Sequence, residues 1–202
     1  MKIFIAGSIG ITTLDKKVTE HLDSIVTKEL DILVGDAAGA DLAVQQRLFA
    51  LNYKKVVVHC INSPRNNVGS WPVQSIPVAR KRLTRDDFMK KDLAMAHDAD
   101  YGFMIWDCRS SGTLNNVLNL LSIGKASLVF CAKPESFLRV SCMEELDRLV
   151  QIPTSKDLET IEKKVRLSAR RAELSRRIAY DSPAVAFSVG EPQLDLFVGD
   201  ES

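Results

Sequence analysis

Residues 31–41, with the sequence DILVGDAAGAD, decide the fold that we predict for this chain. Residues 31–34 form an apolar run typical of a short buried strand, and Gly35 ends it. The small residues that follow lead into 40–50, where the spacing of apolar side chains predicts a helix. A strand that enters a helix through a glycine turn is the repeating unit of open parallel sheets.

The same alternation extends in both directions from this unit. Leu14, Val18, Leu22 and Ile25 have helical spacing, and Thr12 with Asp15 suggests a capping box before them. Residues 62–79, rich in Pro, Asn and Gly, predict a long loop of the kind that is often functional. Further strands are predicted at 2–6, 55–61, 101–106 and 126–132, and further helices at 84–98, 110–122 and 135–150. We therefore predict an α/β fold, a Rossmann-like open, mostly parallel sheet with helices on both faces.

The composition changes after Pro153. Residues 155–180 contain eight Lys or Arg, with a thin apolar stripe, and residues beyond 181 have little periodicity. The predicted organisation is a nucleotide-binding domain at 1–152, a basic helix at 153–181 and a flexible tail at 182–202. The basic helix packs on the domain by one edge, presents a basic face with Arg170 and Arg171 to DNA, or forms the seam of a coiled coil.

Composition excludes several classes of protein. The 202 residues include 27 Lys or Arg and 26 Asp or Glu, so any attraction to nucleic acid must be local. No apolar stretch approaches the roughly 18 residues of a membrane span. The first residues also lack the apolar core of a secretory signal. Four cysteines without a CxxC pair and three scattered histidines predict reduced thiols and no metal site. We expect a cytoplasmic protein, and no cofactor is identified.

Two turns carry the chemistry, because the carboxyl ends of parallel strands meet at one edge of a sheet. The first is 35–41, and the second, with the sequence DCRSSGT, is 107–113. Each brings small or hydroxyl residues to a helix N-terminus, where free N–H groups bind anions. A tight structural turn is the alternative in both places. Asp107, at a strand end, is suited to accept from sugar hydroxyls.

Charged residues between the two turns offer candidate acids and bases. Asp87 and Lys91 are four residues apart, which favours an ion pair along a helix. Asp92 alternatively faces the pocket as a general base or a hydroxyl acceptor. Asp92, Asp36 and Asp41 are the candidate catalytic residues, although nothing in the sequence shows that any of them is one.

Together, Gly7-Ser8, GDAAGAD at 35–41, the segment 86–107, SSGTLNN at 110–116 and Gly124-Lys125 resemble the SLOG superfamily. This Rossmann-like group includes YspA- and YpsA-related proteins and, more distantly, the Lonely Guy phosphoribohydrolases and DNA-processing protein A. The resemblance covers roughly residues 1–135 and implies a pocket for a nucleotide, a nucleotide sugar or an NAD-derived molecule. The predicted ligand-binding residues, from the resemblance and the turns, are Gly7, Ser8, Gly35, Asp36, Gly39, Asp41, Asp107, Ser110, Ser111, Gly112, Thr113 and Asn116.

One position departs from the enzymes of this group. Lonely Guy enzymes carry Gly-Thr-x-x-Glu, whereas here Gly112-Thr113 is followed by Asn116 at the Glu position. An amide can bind a ribose hydroxyl, but it cannot act as a carboxylate nucleophile or stabilise an oxocarbenium ion by full charge. The resemblance therefore leaves open whether the chain is an enzyme.

The tail contains a second motif. Residues Gln193, Leu194, Asp195, Leu196 and Phe197 resemble the QL[SD]LF peptide with which replication and repair proteins bind the bacterial sliding clamp. An accessible segment with two leucines and an aromatic ring suits apolar pockets, at an affinity reduced by the cost of ordering. The alternative is a terminal segment that docks back on the domain.

Three functions follow as hypotheses. The first is a nucleotide-ligand binding module tethered to the replication machinery of a bacterium or phage. The second is a nucleotide N-glycosidase or phosphoribohydrolase-like enzyme. The third is a DNA-associated interaction protein that uses Arg170 and Arg171 and has no small-molecule ligand. A homodimer is a further expectation, because the surfaces of such sheets often pair.

Overall fold

A computed structural model describes residues 1–80 and 82–181, and side chains from 178 onward lie outside the description. It contains one seven-stranded sheet with strand order β4-β3-β2-β1-β5-β6-β7. All neighbouring strands are parallel except β6 and β7, which are antiparallel. The strands are β1 (Lys2–Gly7), β2 (Asp31–Gly35), β3 (Val56–Ile61), β4 (Val73–Ile76), β5 (Tyr101–Trp106), β6 (Ser127–Cys131) and β7 (Ser136–Val140). The predicted α/β class and the mostly parallel open sheet are confirmed.

Helices cover both faces of the sheet, as predicted. The helices are α1 (Lys16–Thr27), α2 (Ala40–Ala50), α3 (Arg85–Asp98), α4 (Ser111–Ser122), α5 (Met143–Leu149), α6 (Ser155–Val165) and α7 (Leu167–Asp181). Side chains alternate along β1, so Ile3 and Ile5 pack with α1 and α2 on one face. Phe4 and Ala6 pack with α3 and α4 on the other. The sheet is thus buried between two apolar layers.

The chain order places the functional edge. From β1 the chain moves outward through β2, β3 and β4, and it then returns to add β5 on the opposite side of β1. The carboxyl ends of β1 and β5 lie side by side, and the chain segments that leave them run to opposite halves of the sheet. Open α/β sheets bind ligands in the crevice at such a switch point.

Two local predictions about the first half of the chain differ in detail from the structure. Helix α1 begins after Asp15, whose side chain accepts from Lys17 N at 2.8 Å, so Thr12 does not open a capping box. The predicted loop at 62–79 includes the edge strand β4, which pairs with β3. Strand β4 is short and mostly exposed, so it lacks the apolar pattern that identifies a buried strand.

The helix predicted at 135–150 was wrong. The segment first forms β7, in register with β6, and then α5. The outer edge of β6 needs hydrogen-bond partners, and β7 supplies them while placing Phe137 against Phe130 at 5.3 Å between ring centroids. Glu145 accepts hydrogen bonds from the backbone and hydroxyl of Ser141 at 2.6 and 2.8 Å, which closes the turn between the two elements.

The basic C-terminal segment is two helices rather than one. Arg166, with φ of 54°, lies between α6 and α7. Ile161 and Val165 of α6, and Leu167 and Leu174 of α7, are buried in the same apolar layer as α4. These helices are therefore an integral part of the fold, and the prediction that the segment packs on the domain describes the structure better than a free basic helix does.

Among the described residues, none of the helices combines the length and apolarity that crossing a membrane requires.

Candidate functional site

A cavity of about 380 Å³ opens at the carboxyl edge of the sheet, between the ends of β1 and β2 and the helices α3 and α4. This is the switch point of the topology. The lining residues are Phe4, Ala6, Gly7, Ile9, Gly35, Ala37, Asp41, Arg65, Arg85, Phe88, Met89, Lys91, Asp92, Ser110, Ser111, Gly112, Thr113, Asn115 and Asn116. Both predicted turns therefore contribute to one cavity.

The first turn is shaped by two glycines. Gly39, at φ of 76°, is the N-cap of α2 and adopts a conformation that only glycine takes without strain. At Gly35 an added Cβ would lie 2.2 Å from Asp41 Oδ2, so the missing side chain leaves room for that carboxylate. Asp41 in turn accepts from the backbone N–H groups of Gly7 and Ala37 at 3.3 and 3.4 Å.

The second turn presents the N-terminus of α4 to the cavity. Ser110 is the N-cap, and its hydroxyl oxygen accepts from Thr113 N at 3.5 Å. The first turn of α4 contains no acidic residue, so the partial positive charge of the helix is not neutralised by its own side chains. The arrangement suits an anionic group at Ser111 and Gly112.

Ser8 joins the two turns from beneath and does not line the cavity. Its hydroxyl donates to Asp107 Oδ1 at 2.9 Å and lies 3.2 Å from Thr113 Oγ1. Its carbonyl accepts from Ala40 N at 3.2 Å, at the start of α2. Ser8 is fully buried, so we assign it to holding the turns in register rather than to contact with a ligand.

Three other predicted residues also lie behind the lining. Asp107 accepts from the backbone N–H groups of Arg109 and Ser110 at 2.9 and 2.7 Å, which shapes the second turn. Asp36 is buried and bound by Arg65, and Gly39 contacts the backbone of the Ile9 region. The predicted residues that do line the cavity are Gly7, Gly35, Asp41, Asp92, Ser110, Ser111, Gly112, Thr113 and Asn116.

Lys91 is the centre of the charged groups, and its predicted pairing with Asp87 was wrong. Its ammonium group lies 3.2 Å from Asp92 Oδ1 and 4.0 Å from Asp36 Oδ1. Asp87 instead accepts from Arg80 and from Thr84 at the start of α3. Burial tends to lower the pKa of Lys91, but the charges of Asp92, Asp41 and Asp36 outweigh it and raise the pKa, so the ammonium stays charged.

The carboxylates around Lys91 differ in their ease of ionisation. Burial raises the pKa of Asp92, and Lys91 and a hydrogen bond from Asn116 only partly oppose it. For Asp36 burial acts in the same direction, but hydrogen bonds and the charge of Arg65 outweigh it and lower the pKa. Asp36, behind the cavity, therefore ionises more readily than an ordinary aspartate. Asp41 and Asp92, which line the cavity, ionise less readily.

Asp41 is expected to titrate near pH 6. Burial raises the pKa of its carboxyl group from 3.8 to about 6, against the opposing charge of Lys91. Between these two values the folded protein holds a proton that the unfolded chain has lost, so this group lowers the free energy of unfolding as the pH rises from about 4 to 6. A carboxyl ¹³C NMR titration checks the value, with Asp36 as internal control. An Asp41 midpoint below pH 4 would contradict it.

Several lining residues were not singled out from the sequence. Arg65 lies in the long loop after β3, and its guanidinium donates to Asp36 Oδ2 at 3.0 Å and to Oδ1 at 2.7 Å. Its Cζ lies 5.0 Å from the centroid of the Phe88 ring. Arg85, Met89 and Asn115 also line the cavity. The length of the loop after β3 was the one sequence feature that could have indicated Arg65. The positions of the other three residues at the cavity depend on how α3 and α4 pack.

The two arginines proposed for DNA contact are engaged within the protein. Arg170 donates to Asn115 and Asn119 of α4, and Arg171 pairs with Asp147 of α5. Neither guanidinium is free in the way that the DNA hypothesis assumes. The peptide Gln193–Phe197, predicted to bind the clamp, lies outside the described residues.

Comparison with known proteins does not name the site. No protein-family model matches the chain, and no curated protein matches it significantly. The resemblance to the SLOG superfamily therefore rests on the quoted motifs and stays a prediction.

Proposed function

We propose that the protein binds a nucleotide or a nucleotide-derived ligand in the cavity at the switch point. The observation that carries this proposal is the meeting of both glycine-containing turns on one cavity of about 380 Å³. A space of that size falls within the range of small-molecule sites, which is roughly 300 to 1,000 Å³. The cavity offers separate surfaces for an anion, a sugar and a base.

The anion is assigned to the N-terminus of α4. Ser110, Ser111 and Gly112 line the cavity, and the first turn of α4 has no acidic residue and leaves its first N–H groups without helical partners. Arg65, Arg85 and Lys91 supply positive charge from the opposite wall. Phosphate is the anion that this combination of helix N-terminus and cations binds best.

The remaining surfaces suit a nucleoside. Asp41 and Asp92 present carboxylate oxygens that can accept hydrogen bonds from sugar hydroxyls. Phe88 and Met89, together with the exposed Ile9, give an apolar wall of the kind on which a base packs. Each part of the ligand thus has chemically matched neighbours.

Substituting Gly112 by alanine separates binding from stability. The nearest atom to an added Cβ is 3.8 Å away, and alanine favours the helix by roughly 0.5–1 kcal/mol, so stability is retained or raised. The methyl group would occupy the approach to the α4 N-terminus, and we expect affinity to fall by about tenfold or more.

Calorimetry with AMP, cyclic AMP, ADP and ADP-ribose measures this effect, and urea unfolding controls for stability. Gly124→Ala, outside the cavity lining, is the control for binding at another glycine of the chain, with an expected stability loss of about 1 kcal/mol from its φ of 70°. No binding by the wild-type protein to any of these probes would defeat the proposal.

Cleavage of an N-glycosidic bond is a second candidate function. The observation in its favour is that two carboxyl groups with raised pKa, Asp41 and Asp92, line the same cavity. Asn116, at the position of the family glutamate, contributes a hydrogen bond to Asp92 instead of a second charge. Release of free base from the probes, lost in Asp92→Asn, would support an enzyme. Stable probes would leave a binding protein.

We further propose that QLDLF docks this protein on the bacterial sliding clamp, which would place it in the cytoplasm of a bacterium. The residues of the motif support this, because two leucines and an aromatic ring suit apolar pockets. Gln193→Ala with Phe197→Ala is expected to abolish capture by immobilised clamp, while Asp200→Ala, outside the motif, is the control. Unchanged capture would overturn the assignment of clamp binding to this peptide, and no capture of the wild type would favour the alternative in which the peptide docks on its own domain.

A further inference from the structure

Arg170 of α7 holds two amides of α4 at once. Its guanidinium donates to Asn115 Oδ1 at 2.6 Å and to Asn119 Oδ1 at 2.9 Å. The two asparagines are one helical turn apart and both are more than nine-tenths buried. Only Asn115 lines the cavity.

This contact determines the orientation of the Asn115 amide. Guanidinium groups donate hydrogen bonds and accept none, so the atom facing Arg170 has to be the carbonyl oxygen of the amide. The amide N–H₂ group of Asn115 then points away from Arg170. Because Asn115 also lines the cavity, an N–H₂ group turned away from Arg170 is able to meet a ligand there.

The charge of Arg170 supports a role beyond packing. Among the described residues no carboxylate lies within ion-pair distance of its guanidinium, whereas the adjacent Arg171 is paired with Asp147. Burial lowers the pKa of Arg170, with only the nearby charge of Glu173 opposing it. A half-buried cation with neutral partners is costly, and an anionic ligand in the neighbouring cavity would offset that cost.

We propose that Arg170 is a positioning residue for the ligand cavity, which turns the Asn115 amide so that its N–H₂ group donates to an acceptor oxygen of an anionic ligand. This inference rests on the proposed function, because it concerns the same cavity. It adds the Asn115 amide to the donors that Ser111 and Gly112 offer on the α4 wall. The site would therefore discriminate against ligands that present a donor at Asn115.

Two isosteric substitutions test the inference. Asn115→Asp keeps an oxygen for Arg170, as an ion pair, but replaces the cavity-facing donor by a second carboxylate oxygen. Asn119→Asp makes the same ion pair with Arg170 outside the cavity lining and is the matched control. We expect affinity for AMP or ADP-ribose to fall at least about tenfold in the first variant and to stay within about twofold in the second.

A further pair of variants keeps the inference testable if Asn115→Asp unfolds. Arg170→Met frees the amide to rotate and should weaken binding several-fold, and Arg170→Lys, which donates to the same oxygens, should restore part of it. Equal affinity in wild type, Asn115→Asp and Arg170→Met would overturn the positioning role of Arg170 and leave the proposed function standing. No binding by the wild type would overturn the proposed function and this inference with it.

Discussion

Lys91→Met is expected to lower the free energy of unfolding by about 3 to 5 kcal/mol, the usual effect of removing one partner from a buried ion cluster. The Lys91 side chain is 5% exposed and its ammonium lies within 4.0 Å of Asp92 and Asp36. Asp41 also interacts electrostatically with it. Without the ammonium, the like charges of the three carboxylates remain close together at a largely buried position beside the cavity.

Two controls test whether this loss of stability comes from the ion cluster. They are its pH dependence and a substitution at the neighbouring lysine. Protonation of Asp41 and Asp92 removes the repulsion, so the deficit of the variant should shrink as the pH falls from 7 to 4. Lys90→Met, on the exposed side of α3, should change stability by less than about 0.5 kcal/mol. Urea unfolding at several pH values measures both. A deficit that grows toward low pH would contradict the cluster as we describe it.

Gly39→Ala is expected to cost about 2 to 4 kcal/mol of stability and to distort the first turn of the cavity. The added Cβ would lie 2.2 Å from the carbonyl oxygen of Ile9, which is backbone and cannot rotate away. The φ of 76° adds conformational strain to this clash. Because Ile9 lines the cavity, ligand affinity should fall together with stability.

Gly124→Ala is the reference for a positive φ without a clash. Gly124 has a φ of 70°, and an added Cβ would meet no atom within 4 Å. Its alanine variant is expected to cost about 1 kcal/mol. Gly39 combines its positive φ with a ψ of −132° and the contact with Ile9, so its variant should lose more. Thermal unfolding compares the two variants, and equal losses would contradict this account of Gly39.

Local sequence patterns were sufficient to predict the elements whose structure depends on residues close together in the sequence. Strand β5 and helix α3 lie where apolar runs and the Thr84 cap predict them, because burial pattern and capping are properties of short segments. The two glycine turns were also identifiable. At Gly39 the backbone conformation and close approach to Ile9 require glycine.

Edge elements could not be predicted in the same way. Strand β7 exists because β6 leaves hydrogen-bonding groups along one side, and helix α7 begins anew because Arg166 takes a left-handed conformation. Neither requirement is visible in the composition of the segment itself. The segment that begins at 135 therefore forms a strand, although its sequence pattern fits a helix, because pairing with β6 satisfies the hydrogen-bonding groups at the edge of the sheet.

The sequence by itself determined the α/β class, the order of most strands and helices, and the two turns that meet at the cavity. Only the tertiary structure decided the charge pairs. The sequence favoured Asp87 for Lys91, four residues away, but the folded chain brings Asp36, just after β2, and Asp41 of α2 near the same ammonium. It likewise set Arg170 against Asn115, 55 residues earlier. Electrostatic partners are chosen by distance in space and by burial, which no local pattern records.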